Sequence, residues 1–172
     1  LLDAIVTELL EYSRPVELRC SWIGVGELIE KTLEVISHRL HDIKVFPEVN
    51  QKERPILVDV AKFTAVLINL IINAIEAMRA GGVLRIVSRF DEENGDSVLR
   101  LFIIDSGPGI PEEELQKIQE PFFTTKLKGT GLGLPICRKI IEAHRGRMEI
   151  RSRLHEGTTV EITIPAQMPE QG

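Results

Sequence analysis

A glycine-rich segment, GTGLGLPI at residues 129–136, is the part of the sequence with the clearest chemical meaning. Gly129, Gly131 and Gly133 precede the apolar pattern of a helix, which continues through Ile140. A turn of this kind exposes backbone N–H groups at the positive end of a helix dipole, where phosphate groups bind. The segment therefore predicts a phosphate-binding turn.

A narrow polar face runs along an otherwise apolar predicted helix. Asn69, Asn73 and Glu76 are spaced i, i+4 and i+7, so their side chains share one side of the helix. The opposite face is apolar and consists of Phe63, Leu67, Leu70, Ala74 and Met78. Asparagine at such a position costs free energy unless its amide finds partners. The face is either a solvated helix edge or the wall of a ligand site in which an amide oxygen binds Mg²⁺.

An acidic residue, Asp105, ends the apolar strand VLRLFIID and is followed by Gly107 and Gly109. An acid at the end of a buried strand is costly unless it accepts hydrogen bonds. Asp105 is therefore either a turn-forming residue or an acceptor for the exocyclic amine of adenine. In the second case the two glycines would let the backbone approach a planar base closely.

Between these two glycine-rich segments lies the sequence Phe-Phe-Thr-Thr-Lys at residues 122–126, followed by Lys128. It is either a pair of core aromatics with two solvated lysines or a mobile lid. A lid would be anchored by phenylalanine, and Lys126 or Lys128 would reach phosphate oxygens as a point charge.

Composition and charge exclude several classes of function. The net charge is −5 and the basic residues form no cluster, which argues against a nucleic-acid surface. The apolar run at residues 65–75 is interrupted by asparagines and is shorter than the roughly 20 residues of a membrane span. The sequence has no P-loop, no dinucleotide-binding glycine motif and no serine or tyrosine kinase motif. Cys20 and Cys137 match no metal spacing, so we expect two reduced thiols.

Hydrophobic periodicity predicts an α+β fold, in which helices cover one face of a mixed sheet. The predicted helices span residues 1–14, 26–40, 60–79, 111–119 and 134–144. The predicted strands span residues 16–23, 43–49, 55–58, 83–90, 97–105, 147–154 and 158–164. Residues 167–172 are expected to form a disordered tail. The first helix carries an apolar stripe that a short terminal helix cannot bury, so we expect a fragment of a longer chain.

The four segments NLIINAIEAM, DSGPGIP, PFFTTK and GTGLGLPI, in this order, resemble the N, G1, F and G2 boxes of the sensor histidine kinases. These kinases belong to the superfamily that also contains gyrase, the heat-shock chaperones and MutL. The resemblance covers about residues 16–165 and implies the Bergerat fold, a two-layer α/β sandwich with a short ATP lid. It implies Mg²⁺ and ATP as the ligands.

The resemblance also implies a role for individual residues. Asn73 corresponds to the family's Mg²⁺ ligand and Asn69 to the polar residue one turn earlier. Asp105 corresponds to the carboxylate that reads adenine, and Thr158 to a residue that contacts the adenine pocket, often through water. The implied ATP-binding residues are Asn69, Asn73, Asp105, Gly107, Gly109, Phe122, Thr124, Thr125, Lys126, Gly129, Thr130, Gly131, Leu132, Gly133, Leu134 and Thr158. The implied catalytic residues are Asn69, Lys126 and Lys128.

Asn69 separates the members of this superfamily by chemistry. Gyrase and the chaperones usually carry glutamate there, as the base that activates water, and asparagine cannot act as a general base. The residue therefore favours phosphoryl transfer over hydrolysis. A related protein serine kinase and a nucleotide-binding pseudokinase are the alternatives.

Two features depart from many histidine kinases. Glu76 occupies the position, three residues after the Mg²⁺ asparagine, where these kinases often have lysine. The lid is also short, and both it and the Glu-Ala-Met ending are most similar to the nitrogen-regulator type.

The phosphoacceptor histidine of the family lies on a dimerising helical hairpin. We interpret the four histidines of this chain as surface or cap residues; they are His38, His41, His144 and His155. Residues 1–15 would then end the second helix of the hairpin, and residues 16–166 would form the catalytic ATP-binding domain. Such a piece is expected to be inactive in autophosphorylation by itself. The implied partners are the protein's own dimerisation domain and a response-regulator receiver domain. The full-length protein would be a homodimer. The resemblance also implies a cytoplasmic location for this segment, without membrane contact.

Overall fold

The computed structural model describes residues 10, 13–50, 52, 54–79, 81–118, 120–124 and 129–166. Most of the predicted first helix and the predicted tail at residues 167–172 lie outside the described residues. The elements in chain order are β1 (Ser21–Gly24), α1 (Val25–Val35), a 3-10 turn (Ser37–Arg39), β2 (Ile43–Val49), β3 (Pro55–Val58), α2 (Val60–Ala77), β4 (Gly82–Glu93), β5 (Asp96–Asp105), α3 (Glu112–Leu115), α4 (Gly133–Ala143), β6 (Arg147–Arg153) and β7 (Gly157–Pro165).

The strands form a mixed five-stranded sheet in the order β2-β4-β5-β7-β6 and a separate two-stranded sheet of β1 and β3. Strand β2 runs parallel to β4, and the other neighbours in the large sheet are antiparallel. Alternating residues such as Leu84, Ile103 and Ile162 are buried in one core with Phe63 and Leu67 of α2. The predicted α+β fold, with helices on one face of a mixed sheet, is confirmed.

The opposite face of the large sheet is polar and carries a chain of ion pairs. Arg100 contacts the nearly buried Glu161 at 2.9 Å, and it also pairs with Glu93 at 3.1 Å. Arg147 reaches the same Glu93 carboxylate at 2.8 Å. Charged side chains therefore cover this part of the sheet, on the face opposite the helices.

Helix α2 is the central helix of the core. It is long and apolar enough to cross a membrane when judged by length and composition alone, with a mean hydropathy of 1.6. In the fold, however, its apolar face packs against the sheet. The buried residues of that face are Phe63, Val66, Leu67, Leu70, Ile71 and Ala74.

The N-terminus of α2 is fixed by contacts with two distant parts of the chain. The Asp59 carboxylate accepts hydrogen bonds from the backbone N–H of Lys62 at 3.0 Å and of Arg19 at 2.9 Å. The Asp59 backbone N–H donates to Nε2 of His144 at 3.0 Å, and His144 Nδ1 lies 2.7 Å from the Ile140 carbonyl. These contacts require a neutral imidazole protonated at Nδ1. They join the start of α2 to the end of α4, where His144 is both the cap residue and buried.

Several predicted boundaries differ from the structure. Strand β1 begins at Ser21 rather than at residue 16, and the Arg19 N–H is taken by Asp59 rather than by a strand partner. The predicted helix 26–40 ends at Val35 and continues only as a 3-10 turn. Strands β4 and β5 extend beyond residues 90 and 97, because Asn94 and Gly95 form a tight turn with φ of 54° and 87°.

Replacing Asp59 with alanine is expected to lower the free energy of unfolding by about 2 kcal/mol, since a helix cap and a second amide contact are lost. Burial acts to raise the pKa of Asp59. The amide donors of Arg19 and Lys62 and the Lys62 ammonium together outweigh burial, so the pKa of Asp59 lies below its usual range. The stabilisation is therefore present above the unfolded-state pKa of about 4 and is lost as pH falls through the folded-state value.

Urea denaturation at neutral and acid pH measures this effect. The difference between wild type and Asp59→Ala should narrow in acid. Asp96→Ala is the matched control, because Asp96 is exposed in the β4–β5 hairpin and its loss is expected to change stability by less than about 0.5 kcal/mol. An equal effect of the two substitutions would contradict the capping role of Asp59.

Candidate nucleotide-binding site

One row of side chains crosses the large sheet near the end of β5. Leu84 pairs with Asp105, Asp105 pairs with Thr158, and Thr158 pairs with Ser152. Because directly paired residues point to the same side of a sheet, these four side chains face the helical layer. The row begins with a fully buried leucine and continues with an acid and two hydroxyls. Such a change from apolar to polar indicates a recognition site rather than core packing.

Asp105 is the acidic centre of this row, and only 7% of its surface is exposed. Its Oδ1 atom accepts hydrogen bonds from the backbone N–H groups of Gly107 at 2.8 Å and Thr158 at 3.3 Å. Burial raises the pKa of Asp105 above its usual range, although these two donors act in the opposite direction. With both amide donors directed at Oδ1, Oδ2 is the atom of the carboxylate that can accept from a ligand.

The glycines around Asp105 make room for protein contacts. A Cβ atom on Gly107 would lie 2.8 Å from Asp105 Oδ1, so a larger residue there would require the carboxylate to shift. Gly109 has a φ of 73°, and a Cβ there would collide with the Arg153 carbonyl. Gly157 has a φ of 89°, and a Cβ atom there would collide with the backbone carbonyl of Asp105. Gly107 and Gly157 thus permit a close approach to Asp105, whereas Gly109 permits the approach of the β6 end at Arg153. The sequence had suggested a close approach of a base for Gly107 and Gly109.

The two asparagines of α2 are joined to each other. Asn73 Nδ2 donates to Asn69 Oδ1 at 3.1 Å, and both side chains are half-buried. This contact fixes which end of the Asn73 amide faces Asn69 and turns its oxygen away from it. Glu76, predicted on the same face, is exposed and lies 3.9 Å from Arg39. Glu76 therefore faces solvent, where such a pair contributes little to stability.

The start of α4 packs directly on this asparagine pair. A Cβ atom on Gly133 would lie 2.8 Å from Asn69 Nδ2, so a larger residue there would require the Asn69 amide to shift. Leu132, the cap residue, is fully buried and makes no side-chain cap bond. The first turn of α4 continues with Leu134, which packs on the core, and with Pro135, which has no N–H. The N–H groups of Gly133 and Leu134 are thus the donors of this helix start.

The ends of the predicted lid meet through the backbone. The Phe122 N–H donates to the Gly131 carbonyl at 3.1 Å, and the two residues have φ values of 68° and 71°. The Phe122 side chain is 60% exposed, so the backbone, rather than the ring, makes this anchor. Thr130 Oγ1 accepts from the Leu132 N–H at 3.3 Å.

Other predicted lid residues are exposed or lie outside the described part. Thr124 and Gly129 are exposed. Thr125, Lys126 and Lys128 lie outside the described residues. Their roles stay predictions.

Two residues near Asp105 were not predicted from the sequence, Ser152 and Gly157. A signal for Ser152 was present, because the alternation in β6 places it on the side of the buried Met148 and Ile150. Gly157 gave no local signal, because its partner, Asp105, is distant in sequence. Within the described part of the chain, no three His, Cys, Asp or Glu side chains group as metal ligands. A metal here would therefore depend on amide oxygen and on the phosphates of the nucleotide.

Comparison with known proteins identifies similar chains. The family model described as "Histidine kinase-, DNA gyrase B-, and HSP90-like ATPase" matches residues 58–168. The sensor histidine kinase ZraS of Escherichia coli K12 is 33% identical over 169 residues, which are 97% of this chain and 36% of that protein. The kinase AtoS of the same organism is 34% identical over 95% of this chain and 27% of its own length. The chain thus spans little more than a third of ZraS and little more than a quarter of AtoS.

Solved structures of histidine kinases share the fold. The catalytic domain of histidine kinase ThkA is 36% identical, with a TM-score of 0.75, covering 88% of this chain and 99% of that domain. ThkA in complex with the response regulator TrrA is matched at 36% identity and a TM-score of 0.79, over 99% of this chain and 48% of that one. ShkA in complex with AMPPNP, at 24% identity and a TM-score of 0.84 over 98% of this chain and 36% of that one, shares the fold.

Proposed function

Since the chain belongs to the histidine kinase-, DNA gyrase B- and HSP90-like ATPase family, we propose that it is the part of a sensor histidine kinase that binds Mg-ATP and transfers the γ-phosphoryl group to a histidine. That histidine lies on a dimerisation domain. The catalytic domain comprises residues 16–166, and residues 1–15 end the second helix of the dimerisation hairpin.

The observation that carries this proposal is the position of α2 between two glycine contacts. Gly133 lies against Asn69, and Gly107 lies against Ala77. A Cβ atom on Gly107 would lie 3.4 Å from the Ala77 Cβ. The two contact points are eight positions apart, which is about 12 Å along a helix at its usual rise. That length is comparable to a nucleoside triphosphate, so a base beside Asp105 would leave its phosphates near Asn73 and the start of α4.

Each end of the stretch of α2 between Asn69 and Ala77 lies near suitable groups for one part of ATP. At the sheet end, Asp105 accepts from the exocyclic amine of adenine. At the other end, the N–H groups of Gly133 and Leu134 donate to phosphate oxygens. The Asn73 amide oxygen would hold Mg²⁺, which, when bound, supplies charge neutralisation on the phosphates. Lys126 and Lys128, which lie outside the described residues, are proposed as further cations for the phosphates.

The chemistry favours transfer over hydrolysis. Asn69 cannot remove a proton from water, and its amide is engaged by Asn73 at 3.1 Å. A neutral imidazole nitrogen of the acceptor histidine needs no base to be a nucleophile. Its lone pair forms the new P–N bond as the bond from the γ-phosphorus to the leaving oxygen of ADP breaks. The residues of this chain contribute position and charge, which dominate catalysis of phosphoryl transfer.

The proposed partners follow from the same assignment. The acceptor histidine belongs to the protein's own dimerisation domain, and the full-length protein is a homodimer. The phosphorylated histidine then passes its phosphoryl group to an aspartate of a response-regulator receiver domain, as the complex of ThkA with TrrA supports. The domain acts in the cytoplasm, and the net charge of −5 fits a chain without a nucleic-acid partner.

Mixing the chain with γ-labelled ATP, Mg²⁺ and a dimerisation hairpin from a sensor histidine kinase tests this function. We expect label on the hairpin histidine, stable to base and labile to acid, and none on the chain alone. The hairpin must first be shown to accept phosphoryl groups from its own catalytic domain. Failure of this chain to label such a hairpin, despite bound ATP, would support a pseudokinase; label on serine would support a serine kinase.

A further inference from the structure

Ser152 has three hydrogen-bond partners around one hydroxyl group. Its Oγ atom donates to the Gly157 carbonyl at 2.8 Å and accepts from the Ile110 backbone N–H at 2.8 Å. It also lies 2.9 Å from Thr158 Oγ1, a contact in which either hydroxyl could be the donor by geometry alone. Ser152 thus joins β6 to the loop after Asp105 and to the start of β7.

Counting hydrogens decides the direction of the third contact. A serine hydroxyl has one hydrogen and two lone pairs. The Gly157 carbonyl can only accept, so it takes the hydrogen of Ser152, and the Ile110 amide can only donate, so it takes one lone pair. One lone pair of Ser152 is left, and Thr158 must therefore be the donor. Because threonine also has a single hydroxyl hydrogen, Thr158 Oγ1 can then offer only lone pairs to any other group.

Thr158 lies beside Asp105, so the direction of its hydrogen bond to Ser152 affects what the site can bind. Thr158 pairs with Asp105 across the β5–β7 ladder, and its backbone N–H donates to the Asp105 carboxylate. Two side chains at the proposed position of the base, Asp105 and Thr158, are thus acceptors towards a ligand. Two acceptors match an amino group, which has two hydrogens, and leave a carbonyl oxygen without a donor.

We propose that Ser152 is a positioning residue for base specificity: by taking the hydroxyl hydrogen of Thr158, it keeps the pocket selective for a 6-amino purine over a 6-oxo purine. The proposal rests on the proposed function, since it concerns the same nucleotide site. Ser152 itself does not contact the base. It acts through Thr158, and through the Ile110 amide that it holds beside the pocket.

Ser152→Ala is the principal test, with ATP and inosine triphosphate binding measured by calorimetry. Without the serine, the Thr158 hydroxyl can turn and donate to a 6-oxo group, so the preference for ATP over inosine triphosphate should fall about tenfold. Ser152→Thr keeps a hydroxyl and should keep the preference. The ratio of the two affinities is the deciding quantity, because a merely structural role of Ser152 would weaken the binding of both nucleotides equally.

Thr158→Val provides a second route that leaves Ser152 bonded to Gly157 and Ile110. It should also reduce the preference, and adding Ser152→Ala to it should reduce the preference no further. Ser97→Ala is the matched control, because Ser97 bonds Arg54 at 2.6 Å near the opposite end of β5 and should leave the preference unchanged.

An unchanged preference in Thr158→Val, or an equal loss of both nucleotides in Ser152→Ala, would overturn the specificity role while leaving the nucleotide site intact. Failure of the wild type to bind either triphosphate would instead overturn the proposed function, and the specificity role with it. In the ligand-free protein, faster hydrogen exchange of the Ile110 amide in Ser152→Ala should report the lost contact. Unchanged exchange there would also count against the positioning role.

Discussion

Replacing Asp105 with asparagine is expected to weaken ATP binding about 100-fold. A charge-assisted hydrogen bond is lost, and the NH₂ group of the asparagine then faces the amino group of adenine, so that two donors oppose each other. The geometry fixes how the new amide must lie. Its oxygen has to take the place of Oδ1, because the N–H groups of Gly107 and Thr158 both donate there. Its NH₂ group is then left at the position of Oδ2, where it opposes the exocyclic amine of adenine.

The same reversal should change which base is preferred. An NH₂ group at this position donates to the oxygen of a 6-oxo purine, so the variant should favour inosine triphosphate over ATP. Calorimetric titration of both nucleotides into both proteins measures this. A variant that loses the two nucleotides to the same extent would contradict the assignment of Asp105 as the base-reading residue.

The stability of Asp105→Asn should move in the opposite direction from its affinity. Burial raises the pKa of Asp105 in the folded state, although the amide donors of Gly107 and Thr158 act in the opposite direction. The ionised carboxylate therefore destabilises the folded protein at any pH above the folded-state pKa. The variant should be more stable than wild type at neutral pH. This difference should shrink as pH falls through the raised folded-state pKa and disappear below the unfolded-state value of about 4. Urea denaturation across this range measures it.

Asn73→Ala is expected to reduce phosphoryl transfer at least about 100-fold, because the amide oxygen that would hold Mg²⁺ is lost. The fold should be little affected, since the Asn73 side chain and the Asn69 side chain to which it donates a hydrogen bond are both only half-buried. Transfer to the acceptor hairpin is measured over a range of Mg²⁺ concentrations, and the variant should lose most of the Mg²⁺ dependence.

Two neighbouring substitutions serve as controls for Asn73. Asn69→Ala removes the acceptor that orients the Asn73 amide, so it should reduce transfer less, by about tenfold for one hydrogen bond. Glu76→Gln changes an exposed side chain that faces Arg39 and should have little effect. If Glu76→Gln reduced transfer as strongly as Asn73→Ala, the metal-binding assignment would have to move to Glu76.

Local sequence patterns were sufficient for most of the fold. Strands 43–49 and 55–58 were predicted with the observed boundaries, and helix 60–79 differs from α2 only at its C-terminal end. These elements have strong periodicity and clear breakers, so local chemistry determines them. The predicted strand 16–23 was too long, because Arg19 bonds to the distant Asp59. No local pattern contains that contact.

The candidate site shows the same division. The places of Asn69 and Asn73 on one face of α2, and of Asp105 at the end of β5, were predicted from the sequence, because the apolar pattern around them defines those two elements. Their roles in a nucleotide site stay predictions. The reason for glycine at position 133 could not be predicted from the sequence, because Gly133 approaches Asn69 only when α4 packs on α2. The role of Ser152 likewise depends on three chain segments that meet only in the folded sheet.

The central claim, that this site transfers a phosphoryl group rather than hydrolysing ATP, is tested most directly by a single turnover of γ-labelled ATP. The chain is held in excess, with Mg²⁺, and the label is followed with and without a competent acceptor hairpin. We expect the label to move to the hairpin histidine, and we expect little release of inorganic phosphate when the hairpin is absent. Release of inorganic phosphate at the same rate without the hairpin would contradict the account and would indicate an ATPase.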